Sequence, residues 1–257
     1  MNKRIFAILI CALMCVGLVG CSEMHAEDPQ KQQESVDLHS SIQREVDSPD
    51  WVKKLPAVED ATQLLVVAGM GMDKSTAYVS LHTKDEQGNW KQIVTTPAVI
   101  GKNGMCLDKD HTSDCEQTPI GTYNVVRPVG IAFSPGFKTP YTSASDSSYW
   151  TGETDPDGDI PFNTFVSILQ YGELDKETSE HLYDLEYEDQ YCISFDFNKE
   201  QQPGKGTKMF IKCFDSEKPY TNGSVEVPED IMRILIQNVM PDCVILIDTM
   251  DNLGAEF

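Results

Sequence analysis

Apolar residues recur along this chain in two periods, and the switches between them mark its elements. TQLLVVAG (62–69) is a short continuous apolar run, as expected of a strand buried on both faces. AYVSLHT (77–83) alternates apolar and polar residues and predicts a half-exposed strand. Further β signals follow at WKQIV (90–94), TYNVV (122–126), QYCISFDF (190–197), KMFIKCF (208–214), SVEV (224–227) and CVILID (243–248). Gly88-Asn89, Pro128, Ser134-Pro135-Gly136, Asp157-Gly158 and Pro203-Gly204 punctuate them as turns. Two segments change to helical spacing. One is DKETSEHLYDL (175–185), with Leu174, Thr178, His181, Leu182 and Leu185 on one side. The other follows Pro228, carries Glu229 and Asp230 in its first turn, and sets Ile231, Ile234, Leu235 and Val239 on one face. No period of about 20–50 residues recurs, which excludes solenoids and propellers. The prediction is one mainly β domain with a few covering helices, over residues 51–257.

Ahead of that domain the pattern differs. Lys3 and Arg4 precede a nearly unbroken apolar run from Ile5 to Val19, too short for a comfortable membrane span and ending in small residues. Residues 1–20 therefore read as an export signal. Leu18-Val19-Gly20-Cys21 has the form of a bacterial lipoprotein signal, in which cleavage exposes a cysteine that is then diacylated. Cys21 is the expected lipidation site, and each buried CH₂ of its acyl chains would contribute roughly 0.8 kcal/mol to anchoring. An ordinary signal peptide with a stray cysteine is the alternative. Residues 21–50 are polar with no apolar face and read as a tether with an r.m.s. reach of roughly 30 Å. The expected location is the bacterial cell envelope, outside the cytoplasm, with the membrane reached through the N-terminal lipid.

Charge narrows the partners. The chain carries 20 basic and 41 acidic residues, a formal net charge of −21. That balance excludes a nucleic-acid reader, which needs a Lys/Arg footprint, and a polybasic contact with anionic lipid. Cys106, Cys115, Cys192, Cys213 and Cys243 show no CxxC spacing, so no zinc site is expected. Asp155, Asp157 and Asp159 start like a calcium loop, but Ile160 stands where that loop needs Gly and Val166 where it needs Glu. Gly204-Lys205-Gly206 lacks the strand–loop–helix setting of a phosphate cradle. No cofactor or metal is expected. Cys106 and Cys115 flank a polar stretch that no core would otherwise order, and export would let a disulfide between them persist.

A series of short motifs carries a family resemblance. GKNG (101–104), TPIGTYNV (118–125), VGIAFSPGFKTPYT (129–142), YW (149–150), EHL (180–182), PGKGTKMFIKC (203–213) and TNGSVEVPED (221–230) stand in register. In that order they resemble the L,D-transpeptidase catalytic domain (YkuD-like), over about residues 51–249. The resemblance implies a β-sandwich-like fold acting on peptidoglycan stem peptides. A cysteine attacks the bond between the third and fourth residues, and the acyl group passes to an amine or to water. In the family a histidine ends the strand leading into a cysteine, and the nucleophile follows in a Thr/Ser-x-Gly-Cys turn.

Both catalytic positions are substituted in this chain. Lys212 stands where the family has its histidine, and Ser224 where it has its cysteine, while Gly204, Gly206, Ile211, Cys213, Thr221, Gly223, Val225 and Pro228 keep the flanking pattern. Thr221 and His181 match positions bordering the family's substrate groove, although a lone histidine on a helix face is as readily structural. Three readings stay open. The domain is a degenerate transpeptidase that binds or scaffolds peptidoglycan; or Ser224 and Lys212 form a nucleophile–base pair; or Cys213 supplies a thiol. The second needs a neutral lysine, its pKa drawn down from about 10.4 towards 7–8. The third conflicts with strand alternation, which points Cys213 away from Lys212.

Overall fold

The computed structural model describes residues 45–152, 160–171, 174, 179–183, 187–215 and 217–257. The export signal 1–20, Cys21, the tether up to residue 44, the Asp155/Asp157/Asp159 loop and parts of 175–185 lie outside the described residues. The described chain falls in one unit, Gln43–Phe257.

Its strands are β1 (Val46–Asp47), β2 (Gln63–Gly69), β3 (Thr76–Lys84), β4 (Trp90–Val99), β5 (Met105–Leu107), β6 (Thr118–Gly130), β7 (Thr142–Ser143), β8 (Ser148–Trp150), β9 (Phe165–Ser167), β10 (Glu180–His181), β11 (Cys192–Phe195), β12 (Phe210–Cys213), β13 (Val225–Val227) and β14 (Val244–Thr249). Short helices are α1 (Asp50–Lys53), α2 (Ile168–Tyr171) and α4 (Met250–Leu253); α3 (Glu229–Asn238) is longer. The fold is mainly β, as the alternation predicts.

The expected sandwich gives way to a barrel. Strands run β4-β13-β12-β11-β6-β14-β2-β3, and β3 then pairs back with β4, closing an eight-stranded ring. Closure satisfies the backbone groups an open edge would leave unpaired. Irregularities at Leu81/His82 and Ser194/Phe195 break the register of the β3–β4 and β6–β11 pairs, the kind of local bend that lets a sheet curl. A second, three-stranded sheet of β10, β8 and β9 is not hydrogen-bonded into the ring but packs on it through Trp150 and Phe210.

Alternation explains the burial. In β2 every residue is buried: Leu65 and Val67 join the barrel core, while Leu64, Val66 and Ala68 meet Trp51, Val52 and Leu55 on the outside. Burying a side chain of this size contributes roughly 1.5–3 kcal/mol. The half-exposed expectation for β3 fails for the same reason. Ala77, Val79 and Leu81 point inward, and Ser80 and His82 on the other face are also buried. There the His82 ring bonds Ser48 and Ser80 and packs edge-on to Trp51.

Helix α3 starts after Pro228 as expected, and Leu235 and Val239 of the expected face are buried with Ile231 packed against the core, but the buried stripe is wider than the spacing indicated. Met232, Leu235 and Ile236 are fully buried in the core, and Ile234 is only partly covered. The helix expected over 175–185 is not formed where the chain is described. Glu180 and His181 pair antiparallel with Trp150 and Tyr149. Tertiary contacts decide that outcome: Leu182 is buried with Trp150 and Phe210, and the His181 ring stacks on Tyr149 at 4.7 Å. Gly104 is required where it stands, because at φ +78° an added Cβ would run into the Met72 carbonyl oxygen.

Candidate functional site

The site lies on the outer face of β11, β12 and β13. Cys192 pairs with Lys212, and Lys212 with Glu226, so the three form a row across the strands. Their neighbours Ile193, Ile211 and Val225 point the other way, into the core. Beside the row is a cavity of about 460 Å³ whose walls include Lys212, Thr221, Ser224, Glu226, Lys208 and Glu180.

The turn carrying Ser224 is pinned at several points. Thr221 donates its backbone N–H to the Ile100 carbonyl, 2.9 Å, and its own carbonyl accepts from Lys102 N–H, 2.8 Å. The Thr221 hydroxyl donates to the Ser224 carbonyl at 2.6 Å and accepts from the Gly223 N–H at 3.0 Å. The Gly223 carbonyl accepts from the Thr118 hydroxyl at 2.8 Å. Gly223 has φ +132°, and a Cβ there would come within 2.9 Å of the Gln117 carbonyl oxygen, so the turn needs glycine. The Ser224 hydroxyl in turn accepts from Phe210 N–H at 3.2 Å and contacts the Lys208 carbonyl at 3.4 Å.

Charge is arranged as an alternating chain. Glu180 meets Lys208 at 2.5 Å, Lys208 meets Asp189 at 3.8 Å, Asp189 meets Lys212 at 4.0 Å, and Lys212 meets Glu226 at 3.7 Å. The Asp189 and Glu226 side chains are each 4% exposed and that of Lys212 is 11% exposed, so water screens these contacts weakly. Two carboxylates beside one amine stabilise its ammonium form. An ammonium group donates hydrogen bonds and has no lone pair with which to take a proton.

Thiols offer no substitute nucleophile at this face. Cys213 points into the core, and burial pushes its thiol up to about 12. Burial raises the Cys192 thiol well above its usual value, with the Asp189 charge adding to the effect. At neutral pH both stay protonated and unreactive. His181 is half-buried, with its Nε2 against the Asp146 carbonyl at 2.9 Å; the cavity wall is built by its neighbour Glu180.

Sequence reasoning brought Lys212, Ser224, Thr221 and Gly223 to one place and missed the other four members of the charge chain, Glu180, Lys208, Asp189 and Glu226. Glu226 had a signal, being a charged residue inside the short apolar run SVEV. Asp189 had none. A separate cluster was also missed: ligand atoms of Cys106, His111 and Cys115 lie within 4.8 Å of one another. The spacing C-x4-H-x3-C is visible in the sequence once CxxC is not demanded.

No family model matches the chain, and no curated protein matches it. Among solved structures the chain is similar to the helical cell shape determining protein Pgp2 from Campylobacter jejuni, with 11% identity and a TM-score of 0.37. The match covers 77% of this chain and 54% of Pgp2, so the chain spans about half the length of that protein.

Proposed function

We propose that residues 51–257 are a degenerate L,D-transpeptidase-like domain that binds peptidoglycan stem peptides without cleaving them, held at the cell envelope by lipid on Cys21. The motifs in register from Gly101 to Asp230 support the family reading. The observation that carries the loss of chemistry is Lys212 between Asp189 and Glu226. Acyl transfer by a serine needs a base at the moment of attack and backbone donors for the oxyanion. Here the amine lies between two carboxylates, the Ser224 hydroxyl contacts backbone groups, and the Gly223 N–H is already given to Thr221. What remains is a polar cavity with charges of both signs, suited to a peptide that carries both carboxylate and amine.

The test is intact-mass measurement and product analysis after incubation with tetrapeptide stems, alongside co-sedimentation with isolated peptidoglycan. Binding with neither adduct nor product is expected. Turnover by the unmodified protein, abolished by Ser224→Ala, would establish a Ser/Lys enzyme and overturn this reading. In the same preparation Cys21→Ala should move the protein out of the membrane fraction; a variant that stays membrane-bound would remove the lipid from the proposal.

A further inference from the structure

The Cys106–His111–Cys115 cluster lies outside the row of Lys212 and Glu226, and two chemistries fit its atoms: a thiophilic metal or a covalent bond between the sulfurs. The histidine decides between them. His111 is 4% exposed, and both of its ring nitrogens face backbone carbonyl oxygens, Nδ1 that of Lys205 at 2.7 Å and Nε2 that of Gln117 at 2.9 Å. A metal ligand must present a nitrogen lone pair to the ion. A neutral ring donates to only one of those oxygens, but a carbonyl oxygen occupies the in-plane direction of each nitrogen, so the ring would have to turn away from both to meet an ion. The ring is further held edge-on to Phe197 at 4.9 Å. It is a pin between three chain segments, and only the two thiols remain for chemistry.

We infer that Cys106 and Cys115 form an intramolecular disulfide that clasps the loop between them and so fixes one wall of the 460 Å³ cavity. The loop connects β5 to β6 and reaches the cavity through Ser113, whose N–H donates to the Gly204 carbonyl at 2.9 Å. Gly206, another wall residue, has φ +104° and its Cβ position lies 3.3 Å from the His111 ring. A bridge across the base of the loop would hold the Ser113 and His111 contacts together. The two sulfurs lie within 4.8 Å of each other. Burial, with Cys115 and nearby carboxylates adding to it, pushes the Cys106 thiol up to about 12, while Cys115 is the more exposed of the two.

The oxidant required is a small disulfide such as oxidised glutathione. The Cys115 thiolate attacks one of its sulfurs and expels the first glutathione thiolate, leaving a mixed disulfide. Cys106 then loses its proton, attacks the Cys115 sulfur and expels the second. Two electrons pass from the protein thiols to the oxidant, which leaves as two thiols carrying the two protons. Nothing in this step depends on whether the domain is catalytic.

The experiment treats the purified full chain with oxidised glutathione, alkylates it, and maps peptides without reduction. A Cys106–Cys115 linked peptide is expected. Closing a loop of this length should raise the melting temperature by roughly 5–10 °C over the reduced protein. The Cys106→Ser/Cys115→Ser variant should lose that redox shift and melt near the reduced wild type. Both cysteines alkylated after oxidation, a bridge to any other cysteine, or a glutathione adduct that persists on Cys115 would overturn the inference. So would one equivalent of zinc retained through gel filtration with both thiols protected from alkylation, which would establish the metal instead.

Discussion

His82 has no exposed surface, and its ring lies between the hydroxyls of Ser48 and Ser80 at 2.9 and 2.8 Å. Burial lowers its pKa from 6.5 to about 4, so the folded protein keeps this ring neutral. The unfolded chain binds the proton more readily, and between those two values the unfolded state gains protons that the folded state refuses. Stability is therefore highest above pH 6.5 and falls as the pH drops towards 4, by up to about 3 kcal/mol from this residue alone. His82→Gln has no proton to gain, and its urea midpoint should change less with pH over that window than the wild type's. Parallel curves for the two proteins would remove His82 as the cause. At this scale the sequence was informative where strand register fixes which residue follows which. Lys212 and Ser224 were read from flanking residues, and the inward turn of Cys213 from alternation. Asp189 was not, because its approach to Lys212 depends on a turn at Tyr187–Asp189 that has no local pattern pointing to the strand it meets.

Elements with many buried residues were legible in outline, and their faces less so. The strands at 62–69 and 243–248 appear as β2 and β14 with nearly the same ends. Helix α3 appears where Pro228 and two acidic residues announce it, yet apolar residues surround much of its circumference (Ile231, Met232, Ile234, Leu235, Ile236), and spacing alone left more than one choice of buried stripe. The barrel buries Leu235 and Val239 of the expected face and adds Met232 and Ile236, leaving Ile234 at the margin. Met232→Ala should accordingly cost about 2–5 kcal/mol, and Ile234→Ala clearly less, since a partly covered side chain leaves a smaller void. Equal losses by chemical denaturation would place Ile234 as deep in the core as Met232. Strand β10 was missed for a different reason. A two-residue strand is too short to show a period of two, and DKETSEHLYDL offers a plausible helical one. Only the contacts of Leu182 and His181 with residues 149–150 and 210, distant in sequence, decide against the helix.

At the scale of the whole molecule, closure was the feature least visible in the sequence. Strand patterns report which segments pair somewhere, but β2 lies between β3, its neighbour in sequence, and β14, from the far end of the chain. That arrangement belongs to long-range pairing and leaves no mark on local alternation. Net charge, by contrast, is a whole-molecule property the sequence states directly, and the structure says how it acts. The excess of acidic residues, 41 against 20 basic, leaves the chain with a net negative charge whose members repel one another. Among the described residues the alternating chain Asp189–Lys212–Glu226 is largely hidden from ions. Added salt should then weaken the repulsion more than it weakens the attraction, since exposed charges are screened within roughly 10 Å at 0.1 M and buried pairs much less. The urea midpoint of the protein should rise as sodium chloride is raised from about 10 to 300 mM, with most of the gain below about 100 mM, where the screening length shrinks fastest. Sodium sulfate at matched ionic strength separates screening from the burial effect of an excluded salt, because screening alone predicts the same gain from both. A midpoint that falls with sodium chloride would mean that exposed ion pairs such as Lys91–Asp47 and Arg233–Glu229 outweigh the repulsion around them.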